Sequence, residues 1–166
     1  MDHGPASSNP SRALRAGLFD LTPDSLCERL ASWNEPSFRA SLILRWVYQD
    51  GAADYESMTN LPKALRTRLL AELPLYQSTI LQTQQSSDGT VKQLLRWTDG
   101  ATSECVLIPD GVRRTACIST QVGCPVRCVF CASGLDGLQR QLTAGEIVEQ
   151  AMRVREQCTE VERLSN

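Results

Sequence analysis

The sequence predicts an α+β chain that turns to α/β towards its end: a helical N-terminal domain, a short antiparallel β meander, and the first βα unit of a truncated core domain. Three observations predict it. Apolar residues recur at helical spacing as far as Leu75. Asp88-Gly89, Asp99-Gly100 and Asp110-Gly111 then divide strand-like segments at even spacing, and each pair is a tight-turn signal. Finally Thr143-Ala144-Gly145-Glu146 forms a capping box that opens a helix just behind a strand and a cysteine-rich loop. The resulting division is a flexible leader over 1–17, a helical accessory domain over 18–75, a β meander linker over 76–109 and the start of a core domain over 110–166.

Each element has a local cause. Residues 1–10 are rich in Pro, Ser, Gly and Asn, a composition that favours an extended leader. Thr22-Pro23-Asp24 reads as a helix start, with Thr22 capping and Leu26 and Leu30 on one face. A second helix is expected over 37–49, with Phe38, Leu42, Trp46 and Tyr48 as its apolar bulk and Gly51 closing it. A third begins after Thr59-Asn60, has Pro62 in its first turn, and carries Leu61, Leu65, Leu69 and Leu70. Lys63, Arg66 and Arg68 form its charged face, to be read as a solvated surface or as one that meets RNA. The strands are expected at 91–97, 104–108 and 113–119. Behind the capping box, Ile147, Ala151, Val154, Cys158 and Val161 share one helical face. A lone βα unit cannot bury both faces, so the chain reads as the front of a longer protein.

The bulk numbers exclude several classes. Of 166 residues, 42% are hydrophobic and 22% charged, the balance of a soluble globular protein. No apolar run approaches the ~20 residues that span a bilayer, and the first fifteen residues lack the apolar core of a secretion signal. A cytoplasmic location is expected. Seven cysteines without such a signal point to metal or redox use in a reducing compartment. The net charge of −2 gives no general affinity for nucleic acid and leaves room for a local basic face. His3, the single histidine, sits in the leader, away from any ligand pattern.

The segment from Cys124 to Cys131 carries the chemistry. Cys124, Cys128 and Cys131 stand at C-x3-C-x2-C spacing, within reach of one metal centre. Structural zinc closes a tetrahedron with four Cys or His ligands, and ferredoxin clusters take four thiolates. Three thiolates leave one iron of a [4Fe-4S] cube open to an outside ligand. The spacing resembles that of radical S-adenosylmethionine (SAM) enzymes, where SAM chelates that iron. A zinc knuckle borrowing Cys117, or simply buried thiols, are the plainer readings of the same residues.

A wider resemblance joins these features. The run from Cys117 to Cys124 (CISTQVGC), the three cysteines, and the run from Leu142 to Ile147 (LTAGEI) together resemble the RlmN/Cfr family of radical SAM RNA methyltransferases. The run from Met58 to Arg66 (MTNLPKALR) is similar to that family's helical accessory domain, and the likeness extends from about Leu18 to the last residue. It implies an RNA-contacting helical domain followed by a partial (β/α)6 barrel. It implies a methyl group added to C2 of an adenine in 23S rRNA (adenine 2503) and of adenine 37 in tRNA. The cofactors implied are a [4Fe-4S] cluster and S-adenosyl-L-methionine; an electron donor such as flavodoxin serves the cluster, and a monomer with no membrane attachment is expected.

The same resemblance assigns roles. Cys124, Cys128 and Cys131 match the cluster ligands, and Phe130 matches an aromatic residue that packs on the cofactor. Cys117 matches a resolving cysteine that forms a disulfide to release the product. Glu104 matches a proton acceptor. On residue type alone, Cys117 would be a core thiol and Glu104 a surface strand residue. Cys27, Cys105 and Cys158 match no functional position and are expected to pack. The family's methyl-carrying cysteine and its Gly-Glu-Pro segment fall beyond Asn166, so the chain is expected to be inactive alone. Three other readings use the same residues: a methyltransferase acting on adenine C8, a non-catalytic RNA-binding or Fe-S fragment, and an electron-transfer protein. The missing fourth cysteine and the helical domain weigh against the last.

Overall fold

A computed structural model describes residues 16–132, 135–158 and 164–165. The expected leader falls almost wholly outside these residues, as does Val161. The chain begins with a 3₁₀ turn at Leu18–Asp20, followed by helices α1 (Pro23–Ser32), α2 (Phe38–Tyr48) and α3 (Lys63–Glu72). Strands β1 (Thr79–Gln85), β2 (Val91–Arg96), β3 (Thr102–Asp110) and β4 (Arg113–Cys117) come next. A hairpin of β5 (Gln121–Gly123) and β6 (Leu138–Gln141) leads into α4 (Ala144–Arg155).

The helix starts follow the sequence signals. The Thr22 side chain accepts the Ser25 N–H at 3.2 Å, and Pro23 occupies the first turn of α1. The capping box of α4 is closed in both directions: Glu146 N–H donates to Thr143 Oγ1 at 3.1 Å, and Thr143 N–H to Glu146 Oε2 at 2.9 Å. Burial departs from expectation in α2, which buries Ala40, Ile43 and Val47 while Phe38 and Tyr48 are exposed. Aromatic bulk marked the helix, but the i, i+3, i+7 stripe of smaller residues faces the core. In α3, Leu65 and Leu69 are buried and Leu70 is exposed.

The charged face of α3 is largely engaged in local contacts. Arg66 donates to the Glu56 carbonyl at 2.5 Å and pairs with the Glu56 carboxylate. Arg68 binds Glu72 at 2.8 Å, and its guanidinium lies 4.6 Å from the Trp33 ring centroid. These contacts fit a solvated helix face, with Lys63 exposed beside them.

The sheet is an antiparallel meander in the order β1-β2-β3-β4. Side chains of Asp88 and Asp99 accept the amides of Thr90 (2.9 Å) and Ala101 (3.1 Å), closing the first two turns. At the third, Asp110 pairs with Arg113, so Gly111 and Val112 form the connection. As expected, 113–119 holds the last strand of the antiparallel meander, although that strand ends at Cys117 and a separate hairpin carries the cysteine loop that precedes α4. A two-residue connection can only reverse the chain. All described strand pairs are antiparallel.

Two apolar cores meet at α4. One gathers Leu26, Leu30, Ile43, Val47, Met58, Leu65, Leu69 and Leu73 from the helices and includes Met152. The other joins Leu95, Trp97, Cys105, Leu107 and Val122 to Leu142 and Val154. The expected apolar face of α4 is only part of what it buries. Glu146, Glu149 and Gln150 are buried as well. Glu149 accepts the amides of Gln77 and Ser78, both at 2.8 Å, and the Ser78 hydroxyl. Arg155 donates to the carbonyls of Val47 (3.3 Å), Tyr48 (2.8 Å) and Gln49 (3.0 Å) at the end of α2. Gly145 permits close approach of the first turn to the 3₁₀ segment, since a Cβ there would run into Asp20. The Asp20 carboxylate in turn accepts Gly17 N–H (2.9 Å), Gln77 Nε2 (2.7 Å) and Thr143 Oγ1 (3.1 Å).

Replacing Glu149 with Ala strands two buried amides, and urea denaturation is expected to show a loss of roughly 3 kcal/mol. Burial pushes the Cys105 thiol from its ordinary 9.0 up to about 11. The unfolded chain therefore releases that proton first, and stability present below pH 9 is lost as pH rises towards 11. Thermal melts across that range are expected to fall, with a shallower slope in Cys105→Ala.

Candidate metal and cofactor site

The cysteine loop is held at a narrow neck. Its base is the β5–β6 hairpin, in which Gln121 pairs with Gln141, Val122 with Arg140 and Gly123 with Leu138. The Cys124 amide donates to the Gly137 carbonyl at 3.1 Å, closing the loop where it leaves the strands. Gly123 has φ +74°, and a Cβ on it would collide with that same carbonyl. No larger residue fits the neck.

Around the loop, the Cys131 amide donates to the Cys128 carbonyl at 3.1 Å, making a turn that spans the last two cysteines. Arg127 adopts φ +52° just before it. Cys124, Cys128 and Cys131 are half-buried free thiols. Val129 and Phe130 between them are 97% and 89% exposed. Phe130 stands on the surface of the loop. Three soft thiols with no carboxylate among them suit an iron–sulfur cluster in kind and number. Among the described residues, however, no three Cys, His, Asp or Glu side chains are gathered as a metal-holding group.

Glu104 and Cys117 are brought together by strand register. Val106 pairs directly with Cys117, and Glu104 lies two residues along β3 from Val106. Alternation puts Glu104, Val106 and Cys117 on one face of the sheet and Cys105 on the other. Both Glu104 and Cys117 are exposed, which corrects the residue-type reading of Cys117 as a core thiol. Lys92 reaches across from β2 to the Glu104 carboxylate at 3.1 Å. Cys105 is fully buried, and its thiol points at the Gln93 side-chain oxygen at 3.9 Å. Cys27 and Cys158 are half-buried against the two cores, in keeping with a packing role.

Sequence reasoning missed the brace behind the hairpin. Arg140 on β6 donates to both oxygens of Glu146, at 2.7 and 2.8 Å, and to Asp99 at 2.7 Å. Burial works against its charge, but these hydrogen bonds outweigh it and hold the Arg140 pKa above its ordinary value. The network fastens the loop's exit strand to the first turn of α4 and to the β2–β3 turn. The capping box exposed Glu146 to view; no spacing rule linked it to Arg140 or Asp99.

The fold is similar to that of a radical SAM methyltransferase solved from Sphaerobacter thermophilus. That structure superposes with a TM-score of 0.86 at 45% identity, over 91% of this chain and 45% of that one. Residues 16–73 match the family model of the ribosomal RNA large subunit methyltransferase N-terminal domain. Similar proteins include the probable dual-specificity RNA methyltransferase RlmN of Rhodopirellula baltica, 44% identical over 90% of this chain and 40% of that protein. The probable dual-specificity RNA methyltransferase RlmN 3 of Opitutus terrae is 50% identical over 82% of this chain and 39% of its own length. The dual-specificity RNA methyltransferase RlmN of Nitratiruptor sp. is 41% identical over 84% of this chain and 42% of its length.

Residues 16–73 thus carry the N-terminal domain of ribosomal RNA large subunit methyltransferases, and the chain as a whole is similar to RlmN-named proteins. It spans about 40% of the length of the curated relatives it matches.

Gly123→Ala tests the neck. The substitution combines a positive φ with a backbone collision, so a loss of about 3 kcal/mol or more is expected in urea denaturation. Hydrogen exchange in 121–141 is expected to rise sharply at the same time.

Proposed function

We propose that this chain forms part of a radical SAM methyltransferase that adds a methyl group to adenine C2 in 23S rRNA and in tRNA. The observation that carries the reading is the three-thiol loop on its braced hairpin, in a chain 41–50% identical to the RlmN-named proteins above. Cys124, Cys128 and Cys131 would hold a [4Fe-4S] cluster, and SAM would bind beside it. When bound, the cluster supplies the electron that cleaves SAM.

The remaining chemistry belongs to side chains. Aromatic C2 is neither acidic nor nucleophilic, so direct displacement on SAM fails there, and the methyl carbon reaches the ring by way of a methylated cysteine outside this chain. Glu104 then accepts the proton leaving the ring carbon. Cys117 attacks the sulfur that joins enzyme and base, and an S–S bond forms as the C–S bond breaks. The C–S electron pair stays on the bridging carbon and takes up a proton to complete the methyl group. The unpaired electron left by radical addition passes to a one-electron acceptor. The placement of both residues on one exposed sheet face supports this division of labour, since a base and a resolving thiol must reach the same adduct. Phe130, exposed on the loop, would pack against SAM.

Residues 18–75 would form the RNA-contacting domain, 76–109 the linker to the core domain that begins at 110, and a flavodoxin-like donor would reduce the cluster. A cytoplasmic monomer fits this reading. Among the described residues no helix is long and apolar enough to cross a membrane.

Anaerobic iron–sulfur reconstitution of the chain, followed by EPR with and without SAM, tests the assignment. A reduced [4Fe-4S] signal that shifts on adding SAM is expected. Ala at Cys124, Cys128 or Cys131 is expected to remove most of the bound iron, while Cys117→Ala retains it. Zinc bound in place of a cluster would overturn the reading.

A further inference from the structure

The segment 118–120 joins the end of β4, where Cys117 stands, to the strand that leads into the cysteine loop. Regular pairing between β3 and β4 stops at Val106 and Cys117. Past that point the backbone of Ser119 would have unpaired polar groups in a half-buried position, which is costly unless a partner is supplied.

Gln150 supplies it. This side chain is 0% exposed, on the buried face of α4. Its Oε1 accepts the Ser119 amide at 2.9 Å, and its Nε2 donates to the Ser119 carbonyl at 3.0 Å. The carboxamide thus takes the place of a neighbouring strand for one residue. The same Nε2 also donates to the Glu146 carbonyl at 3.2 Å, which orients the amide group. On its other side, Ser119 Oγ donates to the Glu104 carbonyl at 2.8 Å. One residue is therefore fastened to a helix and to the strand that carries Glu104.

We propose that Gln150 is a positioning residue that holds Cys117 in register with Glu104 through Ser119. This deepens the reading of those two residues as base and resolving thiol, and rests on it for its catalytic meaning. The mechanical claim stands on the bonds alone. Without the carboxamide, the backbone groups of Ser119 lose both partners and only its hydroxyl bond to the Glu104 carbonyl remains, so the last residues of β4 can leave the sheet. Gln150 touches no reacting atom.

The test is a double-mutant cycle on the whole chain, read at Cys117. The Glu104 carboxylate offsets the Lys92 ammonium that it meets at 3.1 Å, so removing its charge leaves a cation on the face that carries Cys117 and favours an anionic alkylating agent there. Carboxymethylation of Cys117 by iodoacetate, followed by peptide mass spectrometry, is compared with alkylation by neutral iodoacetamide. Glu104→Gln is expected to raise the iodoacetate-to-iodoacetamide rate ratio about threefold when Gln150 is present. In Gln150→Leu the same change is expected to move the ratio hardly at all. Gln150→Glu, which keeps size and loses the donor to Ser119, is expected to behave like Gln150→Leu.

An equal effect of Glu104→Gln with and without Gln150 would overturn the proposal, as would no effect in either background. If both Gln150 variants fail to fold, hydrogen exchange on the unaltered chain decides. Protection of the Ser119 amide equal to that of the β3–β4 ladder supports the clamp, and exchange as fast as the exposed loop overturns it. Success of the EPR test with failure here would leave the family chemistry standing and remove Gln150 from it.

Discussion

The carboxylate of Glu149 is the interaction on which the rest of the structure depends. It is 2% exposed, yet it accepts two backbone amides and a hydroxyl from the segment between the helices and the first strand. A buried carboxylate is tolerated only when its lone pairs are filled. Here they are filled by atoms with few other partners, so the two halves of the chain are tied where each would otherwise be left unsatisfied. Apolar contacts alone would let α4 slide against either core. Directional bonds fix its depth and rotation.

Given that fixed helix, the functional pieces fall into place by short connections. Turn by turn, Glu146 braces the hairpin through Arg140, Gln150 holds Ser119, and Arg155 covers the carbonyls at the end of α2. The helix that follows the cysteine loop is thus also the part that the accessory helices, the sheet and the loop have in common. A disturbance at one contact reaches the others through a rigid rod, and not through a chain of loose side chains.

Much of this was legible in the sequence, and the exceptions share a cause. Caps and turns depend on residues three or fewer apart, so Thr22, Thr143 and the Asp-Gly pairs disclosed them. The stripe of α2 was misplaced because Phe38 and Tyr48 outweigh Ala40 by volume while facing solvent. Strand β1 (TILQTQQ) shows almost no buried positions, so it has no alternation to detect. Strands β5 and β6 are too short to carry a period. The side-chain contacts of Glu146, Glu149, Gln150 and Arg155 with other elements join residues 6 to 108 positions apart, and no local pattern encodes such pairs. At the candidate site the cysteines were evident from spacing, whereas the shared face of Glu104 and Cys117 needed the register of β3 against β4.

That register has a consequence for redox selectivity. Cys105 and Cys117 lie on adjacent strands, only a residue out of step, yet their Cβ bonds point to opposite sides of the sheet. A disulfide needs its two Cβ atoms within about 4.5 Å of each other and aimed inward, so the sheet itself stands between these sulfurs as an insulator. On the proposed reading of Cys117 as a resolving thiol, the sheet keeps it from pairing with Cys105. A slip of one residue in β4 would turn Cys117 to the inner face, where Cys105 could quench it. The parity of a strand, in this protein, acts as protection against a wrong covalent bond.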